Sequence, residues 1–364
     1  MKETFNLLIK AVLQAGLQYA ERGYMAKDVR MSDIAKMLGV STVTVSKALS
    51  DQKGVSEQMR EKIKELAQEL GYKAPGAGKA DKGEHGSYNV GVLVADTYIE
   101  RYSSFYWEFY QKINASANKE SCFVILEMLS EIDEKNLSIP KVITEKKVDG
   151  MLILGRVRTE YLRNLQEHSD VPIIYMDFYD HDAKADSVIS NSFYGAYHIT
   201  NYLFELGHKN IAYVGSILAT DSILDRYLGY QKALIEHGVK VRPDWVIEDR
   251  EEGEYIRLLD EISLPREMPT AFVCNSDLTA STLIKSLNHA GFRVPEDISV
   301  AGYDDYLYPG LCDIPLTTYS VDMDTMAHTG IKMLVRRING KAVRCGMQVV
   351  EGKLVVRRST LERE

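Results

Sequence analysis

The chain has 364 residues, 45% of them hydrophobic and 26% charged, with a formal net charge of −8. This length suits two or three domains rather than one small core, and the composition is that of an ordinary soluble globular protein. No apolar run approaches the roughly 20 residues that span a bilayer, which excludes a helical membrane protein and predicts a cytoplasmic one with no membrane partner. The charge is unevenly placed. Residues 1–86 carry 14 Lys and Arg against 11 Asp and Glu, a net of +3, which leaves −11 for the remainder. A mildly basic front on an acidic body fits local phosphate binding. The four cysteines, Cys122, Cys274, Cys312 and Cys345, form no CxxC pair and no metal spacing, so reduced thiols and no metal site are expected.

In chain order, residues 1–24 come first. Phe5, Leu8, Ile9 and Val12 are spaced for one helical face, while Lys10 and Gln14 interrupt any signal-peptide core. The segment reads as an N-terminal extension, either an extra helix or a run upstream of a natural start at Met25. Residues 25–73 then read as a DNA-binding head. Ser32 is placed to cap a first helix, with Asp33 at its positive end and Ile34, Ala35 and Leu38 on one face. Gly39 stops that helix. Ser41 caps a second, in which Val45, Ala48 and Leu49 repeat at helical spacing. Ser56 caps a third, where Met59, Ile63, Leu66 and Leu70 make one apolar stripe closed by Gly71. Two short helices across a tight turn are the geometry that lays the second helix into a major groove.

With Val45, Ala48 and Leu49 inward, the candidate DNA contacts are Ser41, Thr42, Val43, Thr44, Ser46 and Lys47. Helix N-termini and hydroxyls suit phosphate oxygens. Thr42 and Val43 suit base edges, a thymine methyl above all, and Lys47 suits guanine O6 and N7 or a phosphate. An ordinary three-helix domain with a solvated face is the competing reading. Residues 74–87 hold four glycines and one proline, which makes a flexible tether.

Beyond residue 87, short apolar runs alternate with helical stretches. Expected strands are 89–95, 122–127, 150–154, 173–177, 187–190, 210–215, 271–275 and 299–303. Expected helices are 105–119, 194–206, 225–237, 277–290 and 325–338. Such alternation predicts an α/β fold with parallel sheets covered on both faces. Two lobes are expected, residues 88–190 with 321–349 and residues 191–320 with 350–364, and ligands of such folds sit beyond the carboxyl ends of the strands. Candidate effector-binding residues there are Asp96, Asp177, Asn191, Asn275, Asp277 and Asp304, whose carboxylates and amides suit vicinal hydroxyls. Arg226 adds a donor fork. Phe105, with Tyr102, Tyr106 and Trp107, can stack on an apolar sugar face. Asp177, Asp277 and Asp304 can equally cap helices or bound loops, and Asp277 suits a helix N-cap.

Several strings carry a family resemblance. In the head these are Ser32-Asp33-Ile34-Ala35, Gly39-Val40-Ser41, Thr44-Val45-Ser46-Lys47-Ala48-Leu49, Val55-Ser56 with Arg60, and Leu70-Gly71-Tyr72. In the body they are Gly207-His208-Lys209-Asn210-Ile211-Ala212, Arg226 with Gly229, Asp277 with Ala280, residues 294–300 with Gly302-Tyr303-Asp304, and Pro315-Leu316-Thr317-Thr318. Together they resemble the lactose-repressor (LacI/GalR) family of transcription factors to about residue 360. The resemblance implies a helix-turn-helix head on a two-lobed, periplasmic-binding-protein-like body. It implies that Thr42, Val43 and Lys47 read bases and that Arg226 and Asp304 hold an effector, usually a sugar. The chain departs from the family in three places. Lys47 stands where arginine is usual and loses the planar fork. Asn191-Ser192 stands where an Asp-Asn pair is usual. The tether lacks the leucine that wedges into the minor groove, since none lies between Leu70 and Leu93.

The resulting expectation is a homodimeric repressor on a near-palindromic operator, switched by a small ligand, a sugar, in the inter-lobe cleft. Two alternatives keep the fold. One is a carbohydrate-binding protein of the transport type without a regulatory role. The other is a regulator with a nucleobase-like corepressor. An enzyme is not expected, and neither is a cofactor. No Ser/His/Asp order, phosphate loop or dinucleotide fingerprint occurs, and Gly76-Ala77-Gly78-Lys79 has the wrong spacing.

Overall fold

The computed structural model describes residues 31–49, 54–70, 87–99, 104–181, 185–251, 257–306, 310, 312–341 and 346–363. The expected extension over 1–24, the tether up to residue 86, Gly71, Tyr102 and Cys345 lie outside the described residues. The chain divides into two units, residues 1–86 and 87–364.

The first unit holds helices α1 (Met31–Leu38), α2 (Thr42–Leu49) and α3 (Glu57–Glu69). Each is too short to persist alone. They persist by sharing a core of Ile34, Ala35, Val45, Ala48, Ile63 and Ala67, with Leu38, Leu49, Met59, Leu66 and Leu70 packed around it. Gly39 ends α1 with φ +65°, a conformation that costs a side chain a Cβ clash. Ser41 caps α2 as expected: the Thr44 N–H donates to its Oγ at 3.1 Å. Ser32, expected to cap α1, instead lies inside it, because α1 is already helical at Met31. Arg60 of α3 donates to the Ala48 carbonyl at 3.5 Å and so ties the third helix to the second.

The second unit is built on two six-stranded sheets. Strands β1 (Tyr88–Ala95), β2 (Cys122–Leu129), β3 (Gly150–Leu154), β4 (Ile173–Met176), β5 (Asp186–Ser190) and β13 (Met347–Val350) form the first, in the order β13-β5-β4-β3-β1-β2. Strands β6 (Ile211–Val214), β7 (Val246–Ile247), β10 (Ala271–Cys274), β11 (Ser299–Asp304), β12 (Thr317–Ser320) and β14 (Lys353–Val355) form the second, in the order β14-β12-β11-β10-β6-β7. A two-stranded hairpin, β8 (Arg250–Glu251) and β9 (Arg257–Leu258), stands apart. Pairing within the two large sheets is parallel except at β12–β14. Helices α4 (Phe105–Lys119), α5 (Thr159–His168), α6 (Ser192–Glu205), α7 (Asp221–Glu236), α8 (Asp277–His289) and α9 (Met323–Ile338) connect the strands, with two shorter helical turns at Glu131–Lys135 and Lys141–Thr144.

Both faces of each sheet are covered, which is why the strands read as unbroken apolar runs. In β1, Val90, Val92 and Val94 face one core, with Phe109 of α4 and Ile331 and Leu334 of α9. Leu93 faces the other, with Tyr161 and Leu165 of α5. In β10, Ala271 and Val273 point one way and Phe272 and Cys274 the other. The chain passes between the sheets three times, at residues 190–192, 320–322 and 350–353. These crossings touch: the Asn191 N–H donates to the Val350 carbonyl at 2.9 Å, and a Cβ on Gly352 would lie 2.1 Å from the Ser320 carbonyl oxygen.

The expected helix at 105–119 and the expected strand at 150–154 form with those bounds, and the other expected elements shift by a few residues. One shift matters for the site. The helix expected from Asp225 begins at Asp221, because Thr220 caps it by accepting the Ile223 N–H at 3.2 Å. Strands β12 and β13 were not expected from sequence. Thr317-Thr318-Tyr319-Ser320 is polar, and Met347 and Val349 are exposed on an edge.

Candidate functional site

In the head, the exposed face of α2 carries the expected set. Ser41, Thr42, Val43, Ser46 and Lys47 are exposed and Thr44 is half-buried. Val43 is 60% exposed, an apolar side chain with no core to join at the helix N-terminus. The Ser41 and Thr44 hydroxyls lie 2.9 Å apart and bond to each other. That leaves Thr42, Val43 and Lys47 as the side chains best presented to a groove. The positive end of the helix dipole sits beside Thr42 and Val43, suited to a phosphate, while Lys47 lies in the last turn.

In the body, the carboxyl ends of the strands bring a charged group together. Asp177 directly follows β4 at φ +68° and is buried. Its N–H donates to the Val188 carbonyl at 2.8 Å, and its Oδ2 accepts the Tyr106 hydroxyl at 3.0 Å. Burial pushes its carboxyl up to about 6; Arg226 opposes that rise and Asp304 adds to it. Asp304 ends β11 at φ +100°, outside the region an L-residue adopts freely. Its Oδ1 pairs with Arg226 Nη2 at 3.1 Å. Burial raises Asp304 and the Arg226 guanidinium opposes the rise.

Arg226 lies in the second turn of α7 with its side chain 7% exposed. It lies over the Tyr303 ring at 3.8 Å and donates through Nη1 to the Asn275 carbonyl oxygen. Its Nε is buried without a protein partner, a donor left for something else to satisfy. Across the cleft, Phe105 meets Tyr306 edge-on with ring centroids 6.5 Å apart, and on the Phe105 side Tyr98 packs on Tyr106 at 4.6 Å. Two polar contacts join the lobes at the rim, Arg156 to Asp221 at 3.5 Å and the Tyr179 hydroxyl to Asp225 at 3.3 Å. Between these lies a narrow crevice lined by Asp177, Tyr179, Ser190, Ser192, Asp221 and Asp225.

The remaining sequence candidates sit differently. Asp96 heads a short 3-10 turn after β1 and has a buried Oδ1 with no hydrogen-bond partner. Asn191 is an N-cap whose side-chain oxygen accepts the Tyr194 N–H at 3.2 Å. Asn275 and Asp277 are each 1% exposed. The Asn275 amide donates to the Val214 carbonyl at 3.1 Å and to Asp249 at 2.5 Å. Asp277 is not the cap of α8; Ser276 is, accepting the Thr279 N–H at 3.1 Å. The Asp277 carboxyl instead accepts the Tyr306 N–H at 3.0 Å and rests against Gly302. Burial, with Asp304 nearby, raises it well above the usual carboxylate range. Tyr98, Tyr303 and Asp249 were not singled out from sequence. An Asp after an apolar strand was a usable signal for Asp249, but β7 is only two residues long.

Among the described residues no group of His, Cys, Asp and Glu could hold a metal ion, and no helix is long and apolar enough to cross a membrane.

A three-helix head with a presented second helix, followed by a two-lobed body with a guanidinium–carboxylate pair at its strand ends, defines a class: DNA-binding regulators carrying a ligand-binding body. Comparison with known proteins narrows it. Residues 30–74 match the model of bacterial regulatory proteins of the lacI family, and residues 200–360 match that of a periplasmic binding protein-like domain. The HTH-type transcriptional repressor PurR of Vibrio campbellii is 31% identical over 331 residues, spanning 90% of this chain and 98% of the relative. PurR of Vibrio atlanticus is 32% identical over 313 residues, 85% of this chain and 92% of the relative. Among solved structures, the transcriptional regulator CelR–cellobiose complex superposes with a TM-score of 0.63 at 22% identity, covering 91% of this chain and 99% of that one. The lac repressor dimer bound to operator and the anti-inducer ONPF gives 0.63 at 24%, covering 92% and 100%. The chain belongs to the lacI family and is a DNA-binding transcriptional regulator.

Proposed function

We propose that this regulator represses transcription as a homodimer on a near-palindromic operator, and that a sugar between the lobes sets its operator affinity. The observation that carries the ligand reading is the Arg226–Asp304 pair at 3.1 Å with the buried, unpartnered Arg226 Nε beside it. A fixed donor fork next to acceptor carboxylates matches vicinal hydroxyls, each of which both donates and accepts. Asp177 supplies a further acceptor, and Phe105 and Tyr306 supply apolar ring faces. Cellobiose in the CelR structure and ribose in an Enterococcus faecium relative with a TM-score of 0.61 fit the same class of ligand. A ligand that binds one lobe angle better than another shifts the population of that angle, and the head is presented accordingly.

Thermal-shift screening of the full chain with ribose, cellobiose and other sugars, followed by operator binding with and without each hit, tests this. Stabilisation by a sugar that persists in Arg226→Ala and Asp304→Ala would sink the assigned contacts. A nucleobase-like corepressor is the second reading, favoured by the rings of Tyr98, Phe105, Tyr106 and Tyr306 around the cleft. Purine and pyrimidine bases in the same screen decide between them. The missing leucine between Leu70 and Leu93 adds an expectation for the complex. The tether wedges no leucine into the minor groove, so a circular-permutation gel should show a weakly bent operator.

A further inference from the structure

We propose that Asp249 is the positioning residue for the Arg226 guanidinium, acting through the Asn275 backbone. This rests on the reading that Arg226 holds the ligand. Asp249 is fully buried, with 0% exposure, and none of the sequence candidates contacts it except Asn275.

Its carboxylate collects four donors. Oδ1 accepts the Ser216 N–H at 2.8 Å. Oδ2 accepts the Asn275 amide at 2.5 Å and the Thr279 hydroxyl at 2.7 Å. Both oxygens lie 2.6 Å from Arg250 Nη1. Burial alone would raise this carboxyl, yet Arg250, Thr279, Asn275 and the Ser216 N–H hold it below the usual range. It is therefore a fixed anion at neutral pH.

The anion clamps one place from two sides. It holds the side chain of Asn275, just past the end of β10, and the hydroxyl of Thr279, in the first turn of α8. The backbone carbonyl of the same Asn275 is the acceptor for Arg226 Nη1. That carbonyl fixes the angle of the fork on one side, while Nη2 goes to Asp304 and the ring of Tyr303 lies under the plane. Without Asp249, Asn275 is held by the Val214 carbonyl, through its backbone N–H at 2.9 Å and its amide at 3.1 Å, which leaves the Asn275 carbonyl free to tilt and the fork to turn about its contact with Asp304. Bidentate recognition is sensitive to such rotation, because both N–H vectors must point at once.

Arginine-selective modification tests this without any ligand. Full-length protein is treated with phenylglyoxal, and the rate at each arginine is read by peptide mass spectrometry. In Asp249→Asn an amide donor faces the donors of Asn275 and Thr279, and the rate at Arg226 should rise about tenfold. The rate at Arg337, paired with Asp186 at 2.8 Å elsewhere in the body, should not change. Thr279→Val, which keeps the shape and removes one donor, should raise the Arg226 rate less, and Thr279→Ser should restore the wild-type rate. Unchanged Arg226 reactivity in Asp249→Asn, or an equal rise at Arg337, overturns the proposal. If Asp249→Asn does not fold, an unchanged Arg226 rate in Thr279→Val overturns it. Protection of Arg226 by ribose or cellobiose is a separate arm. Its failure counts against the sugar reading and leaves the positioning role standing.

Discussion

Asp177 carries the clearest titration. Its folded-state carboxyl is raised from 3.8 to about 6. The folded form thus holds its proton more tightly than the unfolded chain, and stability from this group is full below pH 4 and lost as pH rises through 6. Asp177→Asn removes the ionisation, and its amide oxygen can still accept from Tyr106. The variant should match the wild type near pH 4 and exceed it by on the order of 2–3 kcal/mol above pH 7, measured by denaturant unfolding across that range. A constant offset between the two proteins at all pH values would refute the assignment. Lys47 gives a second test at this scale. It is exposed on α2, so Lys47→Ala should weaken operator binding about tenfold or more. If the contact is to a phosphate, the salt slope should also fall by roughly one, equally for operator and random DNA. Single residues were partly legible in the sequence. An Asp at a strand end announced Asp177 and Asp304, because strand ends follow from apolar runs. Their positive φ values and the four-way clamp on Asp249 were not legible, since the partners lie at residues 216, 250, 275 and 279 and only the fold joins them.

Among the elements, the head was the most legible. Its caps, its stop glycine and its apolar spacing are all local, and α2 and α3 start directly after Ser41 and Ser56, while α1 starts ahead of Ser32. Among the described residues its core has six buried side chains with a rim of larger ones. Ile34→Ala should cost about 2–4 kcal/mol, a large share of what such a domain can supply. Because the head and the body are separate units, scanning calorimetry should show one transition lost or lowered and the body transition unmoved, with operator binding abolished. Movement of both transitions would show coupling that the separate units do not predict. The elements hardest to read were β12 and β13. One is polar because its hydroxyls bond to the C-terminal segment, as Thr317 does with Thr360 at 2.9 Å. The other is an edge strand exposed at Met347, Gln348 and Val349 alike, which erases its periodicity.

For the whole body, the three crossings between sheets are the covalent joints of the lobes, so a change of lobe angle is expected to turn about them. Gly352 lies against the Ser320 carbonyl with no room for a Cβ. Gly352→Ala must spread two of the three crossings, which biases the lobe angle without touching the cleft. The expected result is altered operator affinity in the absence of ligand, with ligand affinity changed by the reciprocal factor that linkage demands. Fluorescence anisotropy on labelled operator, titrated with ligand, measures both. Operator affinity and ligand response both equal to wild type would show that the crossings do not set the angle.

The same crossings carry a consequence for synthesis. Strand β13 completes the first sheet and β14 the second, and only residues 351–352 separate them. Neither sheet has its full set of strands until residues 347–355 have left the ribosome, whereas the last described helix of the head ends at Glu69. During translation a folded DNA reader therefore precedes its own control unit by some 280 residues, a delay of about 14–56 s at 5–20 residues per second. A chain cut short before β13 would keep the reader and lose an edge strand from both lobes at once. Nonsense mutations late in this gene should therefore give products that still engage DNA but no longer answer to ligand.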